Sequence, residues 1–192
     1  MQETLYIIIF VIVFYIVFIL KDYNLVGFTI NGNTVYVRDG EDKERSAQLL
    51  NDLTDNMFKL RDYLVNNIEM FTSNKNYIDL LRQNFTRSRT KIYETDFNSS
   101  YTSYAVNKGE ELAFCLRCKP SGELHDMNLL MYVAVHEMAH TACPENGHTH
   151  LFNEIFRFML QQAVKIKLYE YDDYSRHPVV YCGMRLYTNI LN

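Results

Sequence analysis

At 192 residues, with 48% hydrophobic side chains and a formal net charge of −4, the chain suits one domain with a proper core and is too short for two catalytic domains. Acidic and basic residues are interleaved, which supplies no broad basic surface for nucleic acid and no acidic tail. Four cysteines (Cys115, Cys118, Cys143, Cys182) are too few and too scattered for a disulfide-stapled scaffold, and they leave the redox compartment open.

From Leu5 to Leu20 every residue is apolar or Tyr. As a helix this stretch reaches roughly 24 Å, slightly short of a hydrocarbon core of about 30 Å. Gln2 and Glu3 stand where a signal peptide carries basic residues, and no small-x-small cleavage site precedes Lys21. The segment is apolar on all faces, with Tyr6 and Tyr15 as interfacial anchors, so residues 1–24 read as an uncleaved single-pass transmembrane anchor. Lys21 opposite Glu3 points the remainder toward the cytoplasmic side, an asymmetry that Asp22 reduces. The sequons Asn84-Phe-Thr and Asn98-Ser-Ser are compatible with the opposite orientation.

Residues 25–192 then read as one domain. LVGFTINGNTVYVRDG alternates around an Asn-Gly turn, predicting a hairpin with strands near 25–30 and 34–38. Between Glu41 and Ile68, Leu49, Leu50, Leu53, Met57, Leu60 and Leu64 recur at three- and four-residue spacing, the mark of an amphipathic helix whose stripe needs a partner. A shorter helix follows over Tyr77 to Phe85, and SRTKIYETD reads as extended. SYAVNKGEELAFCLR forms a second hairpin about Asn107-Lys108-Gly109. Asp126 or Asn128 caps a helix through LLMYVAVHEMAHTA, Pro144 and Gly147 break it, and LFNEIFRFMLQQAVKIKL resumes as another helix ending near Leu168. The tail has no helical period, and VVYCGMRLY reads as a closing strand or an extended arm.

The chemistry concentrates in VAVHEMAHTACPENGHTHLF. On a helix, His136 and His140 leave the same face and can grip one ion, while Glu137 points to a neighbouring position. There it can take a proton from a water whose pKa a metal lowers from about 15.7 toward about 7, the arrangement for hydrolysing a peptide bond without a covalent intermediate. The third ligand must come from another element, and the turn at Pro144 and Gly147 lets either His148 or His150 reach.

HEMAH followed by GHTHLF resembles the small single-domain zinc proteases of the SprT and WLM type (minigluzincin-like), over roughly Tyr104 to Leu168. In that pattern the third ligand stands four residues before an aromatic. Here the resemblance implies His148, four before Phe152, with His150 a neighbour. It further implies Zn²⁺ as cofactor, and an α+β, zincin-like domain with a small antiparallel sheet, an active-site helix and a C-terminal helix. The hairpin before the active-site helix would present an edge strand to an extended peptide substrate. Relatives of this type act on DNA-crosslinked proteins, yet this chain lacks their basic appendages, so no nucleic acid partner is expected. The expected function is a membrane-anchored zinc metallopeptidase acting on a peptide or protein substrate. The rivals are a tethered zinc-binding scaffold without turnover and an amidase acting on a non-protein amide.

The remaining residues have bland readings. Cys115 and Cys118 read as ordinary strand and turn thiols, Cys143 as a small buried residue and Cys182 as edge-strand packing. His125 is expected to be exposed. Tyr174, Tyr181 and His177 are the candidates for stabilising an oxyanion.

Overall fold

The fold is described from a computed structural model covering residues 25–96, 99 and 101–192, together with Tyr6 and Ile9. Apart from those two residues, the expected anchor over 1–24 lies outside the described residues, as does Asn98. Among the described residues no helix is long and apolar enough to cross a membrane.

The first hairpin forms as its sequence predicts, β1 (Leu25–Ile30) against β2 (Asn33–Arg38). Asn31 and Gly32 both take positive φ, which matches the right-handed twist of the two strands. Along β2, Val35 and Val37 are fully buried while Tyr36 is exposed, so one face of the sheet meets the core and the other meets solvent. Helix α1 (Lys43–Asn66) lays Leu50, Leu53, Met57, Leu60 and Leu64 on that inner face. After α2 (Lys75–Asn84) the chain returns as β3 (Lys91–Glu94). A second hairpin, β4 (Ser103–Val106) and β5 (Glu111–Phe114), completes a sheet of order β1-β2-β3-β5-β4.

That sheet corrects the expectation of a small antiparallel one. β2 pairs with β3, and β3 with β5, in parallel, and only the two hairpins are antiparallel. Two parallel neighbours need a long crossover, which α1 and α2 supply between β2 and β3. β5 rather than β4 inserts next to β3, which leaves β4 at the edge.

Helix α3 (Met127–Ala142) packs against α1, α2, β4 and the last helix, α4 (His150–Lys165). Its run from Leu129 to Val135 is buried throughout, which explains an apolar stretch with no amphipathic period. Asp126 is the residue that caps it, its carboxylate accepting from the Leu129 N–H at 2.9 Å. The tail forms a hairpin, β6 (Val179–Tyr181) and β7 (Met184–Leu186), where a single strand or an arm was expected. Its turn, Cys182-Gly183, takes positive φ at both residues, a geometry that a Cys-Gly pair does not advertise.

Two bland readings also give way. Cys115 and Cys182 are joined in a disulfide, 67 residues apart in sequence with their Cα atoms 6.0 Å apart, because the tail folds back over the end of β5. His125 is buried: its Nε2 accepts from the Cys182 N–H at 3.3 Å, and its ring lies 5.0 Å from that of Tyr181. Burial holds its pKa below the ordinary histidine value, against the raising influence of Asp126. Cys143 is buried and free, and Cys118 is free and half-buried.

Candidate metal centre and cleft

α3 presents His136 and His140 one turn apart, and the loop that follows brings His148 to them. Nε2 of His148 lies 3.0 Å from Nε2 of His136 and 3.2 Å from Nε2 of His140. Three nitrogens on a tetrahedral zinc at 2.0–2.1 Å stand about 3.3 Å from one another, so the donor set fits that ion in kind and spacing. Three imidazoles converging on one point have no other evident reason to do so. His150 is excluded from the cluster. As the first residue of α4 it projects outward, its side chain 90% exposed and 3.6 Å from Glu154.

Phe152 explains why an aromatic belongs four residues after His148. Its ring stacks on His140 at 4.2 Å between centroids and meets His136 and His148 at 4.9 Å each. One side chain from the first turn of α4 thus orients all three imidazoles. Thr149 caps that helix by accepting from the Phe152 N–H at 3.2 Å, which ties the cap and the aromatic to the histidine just before them.

The loop from Cys143 to Gly147 is pinned from the other side by Lys108, a residue that sequence reasoning passed over. Its ammonium donates to the Cys143 carbonyl at 2.9 Å and to the Glu145 carbonyl at 2.6 Å, a positive charge at the C-terminal end of α3. Lys108 reaches there from the β4–β5 turn, where Asn107, Lys108 and Gly109 all take positive φ. A Cβ on Gly109 would come within 2.6 Å of Thr141 Cγ2, so the close approach of turn to helix needs glycine. Nearby, Asn84 donates to the Thr141 carbonyl at 3.2 Å, so its amide is occupied in packing rather than free as a glycan acceptor.

The three histidines and Glu137 open into a cleft of about 790 Å³. β4 forms one wall and Tyr132 and Val133 of α3 the floor, while Tyr181, Met184 and Leu186 of the tail hairpin close another side. Of the three oxyanion candidates only Tyr181 lines this cleft, and its hydroxyl is 2.5 Å from Ser103 Oγ. Tyr174 is buried among Tyr132 and Tyr169, and His177 is exposed near Asp172.

Glu137 is 4% exposed, and burial pushes its carboxyl up to about 8. Burial lowers His136 to about 3, helped by His140 and His148, and lowers His140 to about 4, helped by His148 and Lys108. In the metal-free protein these shifts oppose each other. The folded histidines stay neutral while the unfolded ones take up protons below 6.5, so stability falls as pH drops from 6.5 toward about 4. The folded Glu137 keeps its proton while the unfolded one loses it above 4.5, so stability also falls as pH rises from 4.5 to about 8. Two protons outweigh one below 6.5, and above it only the glutamate remains. Chelator-treated protein is therefore expected to be most stable near pH 6.5. Urea midpoints at pH 5, 6.5 and 8.5 check this, and a steady rise across the series contradicts it.

No protein-family model matches the chain. The uncharacterized protein R325 of Acanthamoeba polyphaga mimivirus is 38% identical over 162 residues, 84% of this chain and 81% of that one. The uncharacterized protein 136R of Invertebrate iridescent virus 6 is 34% identical over 85 residues, 43% of this chain and 47% of that protein. Among solved structures, a Wss1 mutant from Saccharomyces cerevisiae superposes with a TM-score of 0.50 at 17% identity, over 68% of this chain and 89% of that one. At that identity the likeness speaks for the fold alone, a mixed α+β one resembling that of Wss1.

Proposed function

We propose that this chain, which belongs to the family of the mimivirus protein R325, is a zinc-dependent metallopeptidase. The observation that carries the reading is the convergence of three imidazole Nε2 atoms within 3.0–3.2 Å steps at a cleft that also holds Glu137. The fold supports it, since Wss1 is a zinc protease of the WLM family. His136, His140 and His148 would hold the ion, which when bound supplies Lewis acidity and a water of lowered pKa.

The rest follows from the chain's own groups. Glu137, next in sequence to the first ligand, accepts the proton of the attacking water and returns it to the leaving amine. β4 has a partner only on its β5 side among the described strands, so an extended peptide can pair with its free edge and lie across the histidines. Lys108 and Phe152 hold the ligands in place and do not touch the reacting atoms.

We place the protein at a membrane, host-cell or virion, through a single span within residues 1–24. The Cys115–Cys182 disulfide supports a domain on the oxidising side, as such bonds persist outside the reducing cytosol. That reverses the orientation read from Lys21 and Glu3. No nucleic acid partner is proposed.

Metal analysis and peptide turnover on the purified full chain test the reading. About one equivalent of zinc is expected, with hydrolysis of unstructured peptides that stops on chelation and returns on adding zinc. Protein without bound zinc after expression in zinc-replete medium contradicts it. Zinc without turnover leaves the rival reading, a tethered zinc-binding scaffold, in its place.

A further inference from the structure

The tail hairpin takes no part in gripping the ion, yet Tyr181, Met184 and Leu186 face the same cleft as His136 and Glu137. Strands of three residues do not make a stable ribbon alone, so whatever fastens the hairpin decides whether that wall exists. Past β7 the tail is tied down where Asn189 donates to the Tyr169 hydroxyl at 2.7 Å and the Ile190 N–H to the Tyr132 hydroxyl at 3.3 Å, and four attachments fasten the turn end of the hairpin. The disulfide joins Cys182 in its turn to Cys115 beyond β5. The Cys182 N–H donates to His125 Nε2 at 3.3 Å. The Tyr181 ring lies against His125, and its hydroxyl is 2.5 Å from Ser103 Oγ on the edge strand itself. All four run through Cys182 or its neighbour Tyr181.

The wall is apolar. Met184 is 48% exposed, and Tyr132 and Val133 line the same cleft. Exposed methionine beside a cleft is adaptable apolar surface suited to varied side chains.

We propose that the disulfide-held hairpin is the selecting wall of the cleft. Met184 and Leu186, with Tyr132 and Val133, form a subsite for an apolar side chain of an extended peptide lying along β4, and the subsite persists only while Cys115 and Cys182 are joined. The inference rests on the peptidase reading for the presence of a peptide, though not for its cleavage. Reduction breaks the S–S bond and leaves two thiols. With a phosphine reductant the phosphorus is oxidised to the phosphine oxide, taking its oxygen from water, whose two protons go to the sulfurs.

The test measures binding rather than turnover. Fluorescein-labelled peptides differing at one position, Leu or Phe against Ser or Asp, are titrated by anisotropy into the zinc-loaded full-chain Glu137→Gln protein. The oxidised form is expected to favour the apolar peptides by about tenfold to a hundredfold, as burying one such side chain allows. Treatment with tris(2-carboxyethyl)phosphine, or the Cys115→Ser/Cys182→Ser pair, is expected to erase the preference while zinc content stays at one equivalent. Met184→Lys, at an exposed position, should do the same with the disulfide intact and keeps the test decisive if the serine pair misfolds. An oxidised protein without apolar preference, or a preference that survives both reduction and Met184→Lys, overturns the proposal. The two readings fail separately: wild-type protein that cleaves without side-chain preference sinks this inference alone. Redox-dependent apolar binding in a protein that never cleaves sinks the peptidase reading alone.

Discussion

Glu137→Gln is expected to keep about one equivalent of zinc and to lose peptide hydrolysis by about a thousandfold or more. Glutamine matches glutamate in size and fills the same buried space, but it cannot accept a proton. General-base catalysis contributes typically about 10²–10⁴-fold, and among the described residues no other carboxylate lines the cleft apart from Glu145 on the loop. The proposed metal donors are three histidines, so retention of the ion is not expected to depend on residue 137. Burial alone holds the glutamate mostly protonated at neutral pH, and a cation on the neighbouring imidazoles would favour its ionised form. The substitution also removes a group that is costly to ionise in the interior. The metal-free variant should therefore lose the decline in stability above pH 6.5 described for the parent. Zinc stoichiometry, kcat and the pH series check all three points. Undiminished kcat in a variant of normal zinc content contradicts the role given to Glu137.

Glu94→Ala is expected to destabilise the fold by about 3–5 kcal/mol, since removing one partner of a buried ion pair leaves the others unanswered. The Glu94 side chain is fully buried at the end of β3. It accepts from the Arg38 backbone N–H and from Arg38 Nε, each at 2.9 Å, and lies 3.4 Å from Arg117 Nε. Arg117 in turn grips Asp42 at 2.6 and 2.7 Å and reaches Ser46 at the start of α1. That contact holds the Asp42 carboxyl below its usual range. One carboxylate therefore joins β2, β3, the first turn of α1 and the segment carrying Cys115 and His125. For a domain of this size the loss corresponds to a fall in Tm of roughly 6–20 °C. Thermal unfolding with zinc present reads it, and a change below about 1 kcal/mol would show that the two arginines find other partners.

Residues close in sequence declared themselves. The Asn-Gly hairpin, the apolar stripe of α1, the Asp126 cap and the pair His136 and His140 each depend on spacings within one turn or one strand, which local stereochemistry dictates. His148 lay at the limit of that reach. Spacing left it level with His150, and a family pattern was needed to prefer it. In the structure His148 turns inward and Phe152, four residues later, meets all three rings.

Features that join distant segments left no local trace. β3 pairs with β5 in parallel because a long helical crossover and an inserted hairpin set the strand order, and alternation within a strand does not record which neighbour it will have. Cys115 and Cys182 read as two ordinary thiols until the tail folded back across 67 residues, and His125 read as exposed until that same fold covered it. Lys108 and Glu94 are unremarkable letters whose partners lie 23 or more residues away. The spacing of His136 and His140 within one stretch was enough to put two histidines of the cluster on one face, because a helix carries its own geometry. The walls of the cleft, and the bonds that hold them, came only from long-range packing, because proximity between segments arises from the whole chain's burial and not from any stretch of it.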